Sequence, residues 1–162
     1  MAEEIIIEKD LSLEEKYLSL SRQVKALLKK DDKLISNLSN FVAALKQTFE
    51  KISWAGFYFA EGDNLYLGPF QGKVACTNIQ FGKGVCGTAA KERKTIIVDD
   101  VNKFPEHIFC DADSRSEIVV PLFKKNDIYG VLDLDSTSFS AFNETDKKYL
   151  EEMCIFISEK IL

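Results

Sequence analysis

No apolar run in this sequence approaches the roughly 20 residues that a membrane-spanning helix needs. Basic residues are not in excess: 21 Lys and Arg stand against 26 Asp and Glu, a net charge of −5. A nucleic-acid partner would select the opposite balance. The N-terminus, MAEEIIIEKD, lacks the basic start of a signal peptide, so the expected location is cytoplasmic. Internal repeats, low-complexity tracts and linkers are also missing. Cysteine occurs four times and histidine once, as His107. The thiols lack the short paired spacing of common zinc motifs. In a cytosolic chain, structural disulfides are rare, and accessible thiols tend to be catalytic, redox-sensing or metal-bound.

What is present suffices for one globular domain over residues 1–162, with 46% hydrophobic and 29% charged residues. Residues 1–11 read as an extended arm and 12–50 as a helical lead-in. Ser12 with Glu15 is a capping-box pair, and Leu13, Tyr17, Leu20, Val24, Leu27 and Leu28 share one helical face. A second helix is expected from about Asp31 or Asp32, with its stripe at Leu34, Leu38, Phe41, Val42, Leu45 and Phe49. From residue 53 the texture becomes that of a sheet. WAGFYFA and NLYLGPF flank a turn at Glu61-Gly62-Asp63, and KVACTNI reads as a third strand carrying Cys76. A short helix is expected near Thr88–Arg93, and TIIVDDV is another strand. Residues 102–116 form a long polar connection, of a length that is often functional. EIVVPLF and IYGVLDLD form a hairpin, and a terminal helix capped by Asn143 closes the chain. The expected fold is α+β, a mostly antiparallel central sheet flanked by N- and C-terminal helices.

Asp133 and Asp135 lie two apart on the last strand, so both point to one face, while Leu132 and Leu134 point to the other. With a three-residue loop, Lys125-Asn126-Asp127, Lys124 falls opposite Ile128 and Glu117 opposite Asp135. Three carboxylates then cluster at one end of the hairpin. A loop of two or four residues would turn Glu117 to the other face. A solvated acidic face and a cluster that binds an ammonium group or keeps one acid protonated are both open at this point.

Cys154 has the spacing of the terminal helix's apolar stripe and reads as a small buried hydrophobe. Cys110 sits in the polar loop before Asp111, Asp113, Ser114 and Arg115, and Arg115 could lower its pKa. Cys86 lies at a Gly-Lys-Gly turn just before a helix, where backbone N–H groups favour a thiolate. Three readings stand side by side: a zinc site from Cys76, Cys86, Cys110 and His107; three unrelated structural thiols; and a nucleophile with a resolving partner.

The segments WAGFYF, LGPFQGKVAC, FGKGVCGTAA, FPEHIFCDADSRSEIVVPL and GVLDLDS, in that order, closely resemble the free methionine-(R)-sulfoxide reductases, small enzymes on a GAF-type domain. The resemblance implies reduction of free L-methionine-(R)-S-oxide through a sulfenic acid and a disulfide, with thioredoxin as reductant and no cofactor or metal. It implies Cys110 as nucleophile, Cys76 as resolving thiol and Cys86 in a secondary resolving or relay role. It also implies Glu117, Asp133 and Asp135 as substrate-binding acids and Trp54 and Tyr58 as pocket aromatics; Glu117, kept neutral by its acidic neighbours and burial, is the candidate proton donor. Glu106 and Phe109 stand where related enzymes often carry Gly and Ala. A homodimer through the N-terminal helices is a further implication. A non-catalytic GAF sensory module, binding a small ligand without turnover, is the alternative, since one fold hosts many functions.

Overall fold

The computed structural model describes residues 4–105 and 111–162. Helix α1 (Leu13–Leu27) begins at the expected box: Glu15 N–H donates to Ser12 Oγ at 3.3 Å, and Ser12 N–H donates to Glu15 Oε2 at 2.9 Å. Helix α2 (Leu34–Thr48) starts two to three residues later than expected, because no side chain caps it. The preceding turn is held instead from inside the helix. Asn37 accepts from Lys29 N–H at 3.1 Å and donates to the Lys29 carbonyl at 2.7 Å.

Six antiparallel strands follow: β1 (Trp54–Glu61), β2 (Asn64–Gln71), β3 (Asn78–Gln80), β4 (Ile96–Val98), β5 (Ser116–Lys124) and β6 (Asp127–Ser136). They lie in the order β3-β2-β1-β6-β5-β4. Helix α3 (Gly84–Glu92) joins β3 to β4, and α4 (Glu144–Lys160) ends the chain. On one sheet face α1, α2 and α4 bury Ala55, Phe57, Ile118, Val120, Leu122, Leu132 and Leu134. On the other, Val85, Cys86, Ala89 and Ala90 of α3 pack with Trp54, Tyr58, Leu65, Ile79, Val119 and Val131. The period-2 alternation of β1, β5 and β6 is what divides these two layers. Cys154 is buried with Leu150 and Ile157 in the first layer, as its spacing predicts.

Asp146 locks α4 to the lead-in. Its carboxylate accepts from Tyr17 Oη at 2.7 Å and from Lys51 Nζ at 2.7 and 2.8 Å, and it closes the Asn143 capping box by accepting from Asn143 N–H.

Three local expectations are corrected. The β5–β6 turn has two residues, Lys125 and Asn126, because Lys124 pairs with Asp127. Lys125 adopts φ 57°, the left-handed conformation that tight hairpin turns require. A bulge then restores the register: Phe123 pairs with Ile128, whereas Leu122 pairs with Gly130, so Tyr129 is the extra residue. Glu117 therefore still meets Asp135. Second, β3 is only three residues long, and Cys76 lies before it in irregular chain. Side chains hold much of that segment: Trp54 Nε1 donates to the Lys73 carbonyl at 3.0 Å and Tyr58 Oη to the Cys76 carbonyl at 3.0 Å, while the Thr77 carbonyl accepts from Leu67 N–H of β2 at 3.1 Å. Third, α3 begins at Gly84, four residues early, with Gly87 N–H bonded to the Lys83 carbonyl. Cys86 is thus inside the first helical turn. Glu106, His107, Phe109 and Cys110 lie outside the described residues.

Candidate active site

The hairpin register builds the site. Asp133 stands opposite Val119 on one side and Gly56 on the other; Asp135 stands opposite Glu117 and Trp54. With the leucines of β6 directed into the helical layer, the acids face α3. There Tyr58, Lys83, Cys86, Asp111, Ser114, Glu117, Asp133 and Asp135 line one cavity of about 30 Å³, room for about two waters. A second, of about 20 Å³, shares Tyr58, Asp111, Asp133 and Asp135 and is closed by Trp54, Val74 and Ala75.

Trp54 stacks on Phe70 and Tyr58, with ring centroids 5.5 and 6.0 Å apart. Two glycines leave space for its indole. A Cβ on Gly56 would lie 2.4 Å from Trp54 Cη2, and one on Gly72, which has φ 140°, would lie 2.4 Å from Trp54 Cδ1. Gly72 also turns the chain out of β2, towards Cys76.

Glu117 and Asp133 are 5% and 6% exposed. Burial, then the negative charges of Asp133 and Asp135, push the Glu117 carboxyl well above the ordinary range. Burial and Asp135 do the same to Asp133. Asp135 is pushed up to about 6 by burial, although it accepts a 2.6 Å hydrogen bond from Ser114 Oγ. Burial and mutual repulsion thus favour the protonated forms of these acids relative to free carboxyls. Asp133 Oδ1 is buried without a hydrogen-bond partner. The Cys86 thiol lies 3.9 Å from Glu117 Oε1. Burial, then Asp133 and Glu117, raise its pKa well above that of a free thiol. The helix start at Cys86 does not yield a thiolate here, because desolvation and two facing carboxyls outweigh it.

Cys76 is disulfide-bonded, whereas Cys86 and Cys154 carry free thiols. Of the possible zinc set, Cys110 and His107 lie outside the described residues; among the described residues, ligand atoms of Cys86, Glu117 and Asp133 converge. Sequence reasoning missed four contributors. Ser114 positions Asp135, Lys83 and Asp111 line the cavity, and Lys73 bridges to Asp111 at 3.2 Å and to Asp113. That bridge ties the segment carrying Cys76 to the loop before β5. The two-residue spacing of Asp111 and Asp113, and Lys73 three positions before Cys76, were the available signals.

A family model described as the GAF domain matches residues 34–158. The GAF domain-containing protein A of Dictyostelium discoideum is 50% identical over 154 residues, spanning 94% of this chain and 96% of that protein. The free methionine-R-sulfoxide reductase of Escherichia coli (strain K12) is 46% identical over 146 residues, spanning 90% and 88%. The X-ray structure of free methionine-R-sulfoxide reductase from Neisseria meningitidis in complex with its substrate superposes with a TM-score of 0.85 at 40% identity, covering 98% of this chain and 95% of that one. With a six-stranded antiparallel sheet, an acid-lined cavity and these relatives, the chain belongs to the GAF-domain family and, within it, to the free methionine-R-sulfoxide reductases.

Proposed function

We propose that this chain reduces free L-methionine-(R)-S-oxide to L-methionine, with Cys110 as nucleophile, Cys76 as resolving thiol and thioredoxin as the reductant. The observation that carries the reading is the buried Asp133 Oδ1, which has no partner and belongs to a side chain lining a cavity with Glu117 and Asp135. A buried acceptor of this kind calls for a donor. The α-ammonium of a free amino acid supplies one, with positive charge, and a peptide-bound residue does not.

In the reaction, the Cys110 thiolate attacks the sulfoxide sulfur while Glu117 gives its proton to the sulfoxide oxygen. Methionine departs, and the oxygen stays on Cys110 as a sulfenic acid. The Cys76 thiolate attacks that sulfur, a disulfide forms and water leaves. Two thiols are oxidised, one sulfoxide is reduced, and thioredoxin returns the two electrons. A Glu117 kept neutral by burial and by neighbouring acids suits the donor role. Cys86, buried and protonated beside Glu117, suits a relay of thiol or proton better than direct attack. Trp54 and Tyr58 wall the compartment for the S-methyl end. The two small cavities must merge to admit the amino acid, and Asp111, common to both, sits where they meet.

We further read the chain as cytoplasmic and as a homodimer through its first two helices, on which Leu18 and Ile35 are exposed. Among the described residues no helix is long and apolar enough to cross a membrane. The decisive assay follows thioredoxin-coupled reduction of the free R and S diastereomers beside a peptide-bound sulfoxide. Turnover of the free R form alone is expected. Equal turnover of the peptide, or none of the free R form, overturns the reading.

A further inference from the structure

We propose that Cys86, Glu117 and Asp133 form a binding site for a thiophilic divalent cation, Zn²⁺, whose occupancy shuts out the amino-acid substrate. One ligand atom from each residue lies within 4.8 Å of the others, and all three are buried. They come from three different elements, α3, β5 and β6, so the grouping is fixed by the fold and not by one flexible loop. The Cys86 Sγ to Glu117 Oε1 separation is 3.9 Å. Zinc bound at about 2.3 Å to sulfur and about 2.1 Å to oxygen bridges such a gap with little rearrangement. The second observation is Asp133 Oδ1, on a side chain more than nine-tenths buried, with no hydrogen-bond partner, lining the same cavity. Ion pairing would satisfy it. The cavity, at about 30 Å³, has room for an ion and one water as fourth ligand. Lys83 also lines the cavity, together with the acids Asp111 and Asp135. Binding would release the Cys86 proton to solvent, and the sulfur ligand so formed selects zinc over magnesium or calcium, which favour all-oxygen shells.

This ligand set differs from the four-residue zinc site that the sequence suggests. It also makes a prediction about redox state. Cys86 is free while Cys76 is disulfide-bonded, so the oxidised protein retains the site. The test is calorimetric titration of ZnCl₂ into the disulfide form, with MgCl₂ as control. One zinc per chain and no magnesium binding are expected. Cys86→Ser and Asp133→Asn should each weaken binding roughly tenfold or more, while Cys154→Ser leaves it unchanged. Undiminished zinc binding by Cys86→Ser, or loss with Cys154→Ser, overturns the proposal. Cobalt substitution guards against misfolded variants: the wild-type oxidised protein should gain a sulfur-to-cobalt charge-transfer band, and its absence also overturns it. Because these readouts need no turnover, they fail independently of the proposed reductase activity. In the reduced enzyme, zinc should compete with the sulfoxide; inhibition that excess substrate does not relieve would refute the shared site.

Discussion

Asp135→Asn should stabilise the protein at neutral pH and have almost no effect in acid. In the folded chain the Asp135 carboxyl titrates at about 6, against an ordinary 3.8. Folding thus favours its protonated form. The contribution to stability is fully present below the ordinary value, declines as pH rises towards 6, and is gone above it. Two pH units at about 1.4 kcal/mol each amount to a penalty of roughly 3 kcal/mol at about pH 7.5. Asparagine removes that charge and keeps an oxygen to accept from Ser114. It also relieves Asp133 and Glu117, both of which Asp135 pushes upward. For a chain of this size the gain corresponds to a rise in Tm of about 6–12 °C. Urea unfolding of the oxidised wild type and variant, run between about pH 4 and pH 8, reads the effect as a widening gap. The proposed ligand supplies an independent check. Free methionine, through its ammonium, should raise the wild-type midpoint more than the variant's, which keeps Asp133 but lacks the Asp135 charge. A stability difference that is the same at both ends of the pH range, or a variant less stable at neutral pH, would refute the reasoning.

Cys110→Ser should abolish reduction of the free R-sulfoxide, whereas Cys76→Ser should release about one methionine per chain and then stall, as measured by single- and multiple-turnover assays. Glu117→Gln should lower the rate roughly 100-fold with the circular dichroism spectrum unchanged, the usual scale for losing a positioned proton donor. Asp146→Asn should cost about 2–3 kcal/mol in urea unfolding, since it leaves Lys51 and Tyr17 without the buried anion they share. Gly72→Ala should cost about 1–3 kcal/mol and shift tryptophan fluorescence, because φ 140° is strained for alanine and its Cβ would meet the Trp54 ring.

The elements were legible where periodicity and caps agree. The Ser12–Glu15 box, the Asn143 cap, the stripe through Cys154 and the two faces of β6 all appear as the residue pattern predicts. The acid cluster was legible because a strand's period of two fixes which side chains share a face. What the sequence hid was set by tertiary contacts. Cys76 lies outside a strand because Trp54 and Tyr58 take the carbonyls of its segment, and propensity carries no trace of that. The early start of α3 was masked by glycines that read as breakers. The raised pKa of Cys86 follows from carboxyls contributed by strands 31 and 47 positions further along the chain, a separation that no local motif records.

The Tyr129 bulge gives the hairpin a parity rule. A two-residue tip with one extra residue in β6 keeps the three acids on one side, and so would a three-residue tip with a regular β6. Flattening the bulge with every residue kept and the two-residue tip unchanged would pair Glu117 with Leu134, out of step with Asp133 and Asp135. The distant tip thus sets the register of the acids, and a one-residue slip there could silence the enzyme while every acid remained in the gene.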